Sequence, residues 1–319
     1  MATAEQMKSL VKAYADCNDE KFKTVVLQIA AHEARLGHDN LARELKKQID
    51  RVGSKRTNIV QLTSTNPMLS LSMPSHDLSE LIVSEDITNK IQRILNEYRN
   101  RNKLISYGLT NRRKILIEGN PGTGKTLTAS IIASELSLPL YTVQMDKLVT
   151  KFMGETSAKL RQVFDSIESD VGVYLFDEFD AIGAERSLDN EVGEMRRILN
   201  SFLQFIEQDG SESIIIAATN NQRLLDQALF RRFDDVLHYM LPTHVEIKRL
   251  LEYKLKAYDE NFTIPKDVVK AADGLSHAEL ARVCDDAIKN SILNDEFIND
   301  KIIIMLLNER HNAYSCKEA

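Results

Sequence analysis

The chain has 319 residues, 43% of them apolar and 28% charged, with a formal charge of -6. This is the composition of a soluble globular protein with room for two domains, and the acidic balance argues against nucleic acid as the main ligand while leaving a local basic patch open. The longest strongly apolar run, Ile302 to Leu307, falls far short of the ~20 residues that span a bilayer. The polar start MATAEQMKSL lacks a secretory signal. Cys17, Cys284 and Cys316 are scattered without a CxxC pair, so reduced thiols and a cytoplasmic location are expected. His32 and His38 lie six apart, which does not place two ligands on one helical face, and no metal motif is read from them.

In chain order, residues 1–50 read as a small helical unit. Met7, Leu10, Val11 and Tyr14 share one helical stripe, and Phe22, Val25, Val26 and Ile29 share another. Asn18 and Asp19 suit the start of the second helix and Gly37 its end; Leu41, Leu45 and Ile49 mark a third. So short a unit buries little surface. It is expected to be an adaptor for a partner or client, or else a structural helical cap. Residues 51–78 are rich in Ser, Thr, Asn and Pro and show no sustained period, as a linker or extended arm would. From 79 to 242 strands alternate with helices. The strands are expected at Lys114–Glu118, Leu140–Val143, Val171–Phe176, Ser213–Ala217 and Val236–Met240. That alternation predicts an α/β fold, a mostly parallel sheet with helices on both faces. After Pro242, runs near 243–257, 265–273, 276–293 and 297–310 predict an all-helical lid over 243–319.

Two motifs carry chemistry. Gly119-Asn120-Pro121-Gly122-Thr123-Gly124-Lys125-Thr126 fits GxxxxGK[ST], between the apolar strand Ile115–Ile117 and a helical run beginning at Leu127. The glycines let backbone N–H groups close around a β-phosphate, and the helix start presents more of them. Lys125 would supply charge to the β- and γ-phosphates, and the Thr126 hydroxyl would be a ligand of Mg²⁺. The second motif, Val173–Phe176 followed by Asp177 and Glu178, is an apolar strand ending in two carboxylates. At the C-terminal end of a strand in a doubly wound sheet, the pair faces the ligand crevice. Asp177 would hold Mg²⁺ through a water and Glu178 would polarise the attacking water. Asp180 is read as structural. ATP and Mg²⁺ are the cofactors expected.

Beyond these motifs, residues 80–311 resemble the AAA family in its narrow sense. Ile216-Ala217-Ala218-Thr219-Asn220 is similar to the family's sensor-1 strand, which implies that Asn220 orients the lytic water. Leu225 to Asp234, LDQALFRRFD, resembles its second region of homology, which implies that Arg231 and Arg232 are arginine fingers. A guanidinium delivered to the γ-phosphate is worth roughly 10³ to 10⁵ in rate. In the family it comes from the next subunit, so the resemblance implies a homo-oligomeric ring, usually a hexamer. Gly274 to Leu280 resembles the lid motif near adenine and ribose, with His277 where glycine is common; Ala278 and Ile82 are the implied base contacts. Leu81–Val83 is equally readable as ordinary core. Asn120 replaces a common proline.

Phe152-Met153-Gly154 resembles the family's first pore loop, an apolar tip that grips a protein substrate, and a second pore loop is expected within 183–194. The resemblance thus implies ATP-driven remodelling, unfolding or threading of a protein. It extends to spastin- and katanin-type remodellers and to bacterial AAA proteins paired with subtilisin-like proteases in proposed anti-phage modules. The motifs do not choose between them, and a partner protease is an expectation of the second. A DNA-directed loader or helicase-associated ATPase is the alternative, as is a nucleotide switch or scaffold. The acidic balance argues against the first, and Glu178 with Arg231 and Arg232 against the second.

Overall fold

The structure, a computed structural model, describes residues 25–27, 29–30, 66–148, 155–179, 191–220, 230–256, 258–259, 262–295 and 297–315, with backbone alone at 191–197 and 314–315. The chain divides into a unit at Met1–Thr63 and a larger one at Ser64–Ala319. Of the first, residues 25–27 and 29–30 are helical; of the expected stripe Val25 and Val26 are buried and Ile29 is half-buried, while Ala30, outside it, is buried and Leu27 is exposed. The other N-terminal residues read above lie outside the described residues.

In the larger unit the elements run β1 (Leu69–Ser72), α1 (Glu85–Arg99), α2 (Arg101–Ser106), β2 (Lys114–Gly119), α3 (Lys125–Leu136), β3 (Leu140–Val143), α4 (Met145–Leu148), α5 (Glu155–Ser169), β4 (Val173–Phe176), α6 (Glu191–Gln208), β5 (Ile214–Thr219), β6 (Asp235–Tyr239), and then α7 (His244–Lys256), α8 (Lys266–Ala271), α9 (His277–Asn294) and α10 (Asp300–Ser315). Among the described residues six strands form one sheet, in the order β1-β3-β4-β5-β2-β6. All pairings are parallel except β1 with β3. The five expected strands are present with ends shifted by one or two residues. The sixth, β1, lies inside 51–78, the stretch expected to be linker or extended arm. Its LSLS alternates but is four residues long, and its ladder closes only against β3. Gln144 N–H donates to Met68 O at 2.8 Å, and the Asn66 amide donates to Gln162 O and Ser166 Oγ, which fasten its approach to the body.

The sheet is covered on both sides because its strands alternate. On β2, Ile115 and Ile117 pack with Ile91 and Ile94 of α1 and Ile131 and Ile132 of α3, while Leu116 packs with Leu160 and Phe164 of α5 and Phe202 and Ile206 of α6. Strands buried on both faces read as continuous apolar runs, and β2, β4 and β5 do. Helix α1 shows how local sequence sets its bounds. The Ser84 side chain accepts Ile87 N–H, Glu85 and Asp86 fill the positive first turn, and Arg99 sits in the last. The lid, α7–α10, has its own cluster around Ile247, Leu251, Leu280, Val283 and Leu307. Ile82 belongs to that cluster, whereas its neighbours Leu81 and Val83 belong to the body's.

Two anchors hold β2. Asp209, almost fully buried, pairs with Arg113, and breaking a buried pair leaves an uncompensated charge. The Asp234 carboxylate accepts N–H from both Arg113 and Lys114 at 2.9 Å. Phe202, fully buried, meets the rings of Phe164, Phe176 and Phe179 at centroid distances of 5.9, 5.0 and 4.5 Å. Phe202→Ala is therefore expected to remove about 3–5 kcal/mol of stability, read as a fall in the chemical-denaturation midpoint.

Candidate nucleotide site

The loop from Gly119 to Gly124 joins β2 to α3 and follows a path that needs glycine. Gly119, Gly122 and Gly124 have φ of +150°, +74° and +104°. A Cβ on Gly122 would lie 2.7 Å from Ser276 Oγ and 3.1 Å from Ala278 Cβ, so this glycine also lets the lid approach. The Thr123 hydroxyl donates to Asn120 O at 2.7 Å. The Lys125 ammonium, buried, donates to the carbonyls of Gly119 and Asn120, each at 2.8 Å. Asn120 and Pro121 are exposed, and Leu127 packs at the margin of the body core. One turn on, Thr128 meets Tyr239 of β6 in a buried hydroxyl contact and also donates to Gly124 O at 3.0 Å. Burial pushes the Tyr239 phenol well above its ordinary pKa, so it stays neutral.

The parallel register brings the second motif to this loop. β5 lies between β4 and β2, with Phe176 opposite Ala217 and Glu118 opposite Thr219. Asp177, Glu178 and Asn220 therefore emerge at the same end of the sheet as Gly119. The Thr126 hydroxyl donates to Asp177 Oδ2 at 2.7 Å. Two adjacent oxygen donors, one anionic, suit Mg²⁺, which takes one or two protein ligands and completes its shell from phosphates and water. Glu178 is exposed, with left-handed backbone at φ +52° and its N–H on Asp177 Oδ1 at 2.9 Å. Such a conformation is costly for a residue with a Cβ and is concentrated at functional sites.

Arg231 and Arg232 are not brought to that end. β6 runs parallel to β2 with Asp235 opposite Ile115, so the residues before Asp235 sit where β2 begins. At ~3.3 Å per residue, the five steps from Lys114 to Gly119 separate them from the loop by about 17 Å. The two arginines also differ. Arg231 is exposed, while Arg232 pairs with Glu207 near the end of α6 at 2.7 Å. Their neighbour Asp234 had no assigned part in the sequence reading; its hold on the start of β2 fixes the segment, and the run RRFD alone gives no signal of that contact.

The lid reaches the loop through the start of α9. Ser276 and Glu279 form a capping box, with Ser276 N–H on Glu279 Oε2 at 2.7 Å. Ala278 N–H then donates to Gly122 O at 2.9 Å, a direct tie between lid and cradle. Phe152, Met153 and Asp180 lie outside the described residues, as does most of 183–194.

The profile of the ATPase family associated with various cellular activities (AAA) matches residues 115–241. An uncharacterized AAA family ATPase, y4kL, of Sinorhizobium fredii is 36% identical over 302 residues, 92% of this chain and 90% of its own. The chain belongs to the AAA family. As an AAA family ATPase it binds and hydrolyses ATP. A putative 26S proteasome regulatory subunit homolog of Methanothermobacter thermautotrophicus is 28% identical, over 81% of this chain and 70% of its own length. The ATP-dependent zinc metalloprotease FtsH 1 of Methylacidiphilum infernorum is 32% identical over 62% of this chain and 32% of its own. Among the described residues no helix of this AAA protein is long and apolar enough to cross a membrane.

The closeness of lid and cradle at Gly122 yields a test. Gly122→Val should strain the backbone and push Ser276 away, weakening ATP binding at least tenfold (about 1.4 kcal/mol). Titration calorimetry would read the loss.

Proposed function

We propose that this AAA protein is a ring-forming motor, a homo-oligomer and by family resemblance a hexamer, that spends ATP on pulling or remodelling a protein substrate. Gly119–Thr126 hold the triphosphate, with Lys125 on its β- and γ-phosphates. Thr126 and Asp177 hold Mg²⁺, which supplies charge neutralisation at the phosphates. Glu178 accepts a proton from the attacking water, and Asn220, between cradle and acidic pair, orients it. Ile82, Leu127 and Ala278 flank the base.

The observation that carries this reading is the placement of Arg231 at the opposite end of β2 from its own cradle, with its guanidinium exposed. It cannot serve the site of its own chain across about 17 Å of strand. A head-to-tail arrangement, which closes into a ring, would bring it to the neighbour's γ-phosphate, where delocalised charge stabilises the developing anion. Arg232, engaged by Glu207, holds the segment in position. Protein as substrate is supported by the relatives named for a proteasome regulatory subunit and for an ATP-dependent protease. In this reading Phe152 and Met153 grip the substrate in the channel. A cytoplasmic setting and a separate partner protease belong to the same proposal, the latter only for the bacterial defence setting.

Mixing variants tests it. Glu178→Gln is expected to bind ATP without turnover and to stabilise the assembled ring. Arg231→Ala is expected to bind ATP and lose at least a hundredfold in kcat. Combined, the two inactive proteins should recover activity, because an Arg231→Ala subunit keeps its Glu178 and borrows Arg231 from a Glu178→Gln neighbour. Steady-state phosphate release measures this, and a mixture no more active than its parts would refute the trans arrangement. Arg232→Ala should lose less than Arg231→Ala, with a lower melting temperature.

A further inference from the structure

Gln144 is the residue that follows β3. Its backbone is fully engaged: the N–H donates to Met68 O at 2.8 Å, and the carbonyl accepts from Lys147 and Leu148 N–H at 3.1 Å each, which opens α4. Only the carboxamide is idle. Its oxygen is sealed from solvent without a hydrogen-bond partner, whereas its nitrogen is not among the sealed atoms and the residue as a whole is half-buried.

The sheet sets this side chain beside the acidic pair. Thr142 lies opposite Leu175 in the ladder of β3 with β4. The residues two further on, Gln144 and Asp177, therefore leave the sheet side by side, at the spacing of neighbouring strands, about 4.8 Å. Alternation puts both on one face. Leu140 and Leu175 pack in the core shared with α1 and α3, while Val143 and Phe176 pack in the other. Thr126 of α3 reaches Asp177 on that same face. One oxygen of Asp177 accepts Glu178 N–H and the other accepts the Thr126 hydroxyl. A carboxylate has about four acceptor positions, so room remains for a metal-bound water and for one further donor.

A buried oxygen without a partner destabilises the fold, and each such group needs a reason. Packing does not supply one here, since a methionine would fill the same volume without stranding an oxygen. The other end of the carboxamide does. Resting on the reading of Thr126 and Asp177 as the Mg²⁺ site, we propose that Gln144 is a positioning residue for the metal. Its amide nitrogen donates to Asp177 and holds that carboxylate in the orientation that Mg²⁺–ATP requires. Gln144 acts through Asp177 and touches neither metal nor nucleotide, and outer partners of this kind tune a metal's affinity by fixing the group that faces it.

The test follows ATP binding by calorimetry as Mg²⁺ is titrated, and again in EDTA, on the whole chain carrying Glu178→Gln to prevent turnover. Gln144→Met keeps the side chain's length and removes the donor. It should raise the Mg²⁺ concentration that half-saturates the gain in ATP affinity about tenfold, the usual loss when a metal ligand's outer partner is removed. Affinity in EDTA should stay unchanged, and the ligand-free melting temperature should be equal or higher, because no oxygen is left stranded. Gln144→Asn, which keeps the carboxamide on a shorter stem, should lie between and serves as the reporter if the Met variant does not fold. An unchanged Mg²⁺ midpoint in both variants would overturn the proposal. So would an equal loss of affinity with and without Mg²⁺, which would make Gln144 a support of the fold. An Asp177→Asn chain whose Mg²⁺ midpoint does not move would refute the metal reading itself, a result distinguishable from the failure of Gln144 alone.

Discussion

One carboxylate governs the geometry of this molecule. Asp234 accepts the N–H groups of Arg113 and Lys114 and so ties the segment bearing Arg231 and Arg232 to the first residue of β2. The opposite end of β2 is Gly119, where the phosphate loop begins. The strand is buried on both faces and cannot shift without disturbing both halves of the body core. Its length is thus a fixed distance between the part of the chain that takes up ATP and the part that can act only elsewhere. The Arg113–Asp209 pair stiffens the same corner, holding β2 to the residue that follows α6.

The parallel order of the sheet does the complementary work at the other end. Because β5 is threaded between β4 and β2, the acidic pair, Asn220 and the loop converge without any of them being near in sequence. The Thr126–Asp177 contact links the two motifs directly. The backbone at Glu178 is left-handed, so the chain turns sharply as it leaves the strand and the carboxylate stands clear of the sheet. Strain of this kind persists where the surroundings over-determine it, and Phe179, buried directly behind, is part of that constraint.

Much of this was legible because it is periodic or local. Alternation and apolar runs gave five strands, and the loop motif between Ile117 and Leu127 announced both its conformation and its chemistry. The edge strand at Leu69–Ser72 was not legible. Four residues are too few for a period, Pro67 and Pro74 flank them, and its stability comes from β3, some seventy residues on. The same holds for Asp209 and Asp234, whose partners are distant in sequence; nothing local marks an acid that will hold a strand. For Leu81–Val83, sequence left base contact and ordinary core both open. The extended backbone divides the three, Leu81 and Val83 going to one core and Ile82 to the other. Arg231 and Arg232 look equivalent as letters, and the structure separates them by exposure and by the ion pair of Arg232 to Glu207.

That division at Ile82 bears on what counts as a module here. The sequence breaks at Pro242, and a gene-level cut there would seem to release a complete helical lid. Physically the lid's core also includes Ile82, encoded 160 positions before Pro242 (242 − 82). Recombination that exchanged 243–319 between relatives would trade one lid for another while leaving the old plug in place. Ile82 and the lid must therefore change together, as lock and key do when either is recut.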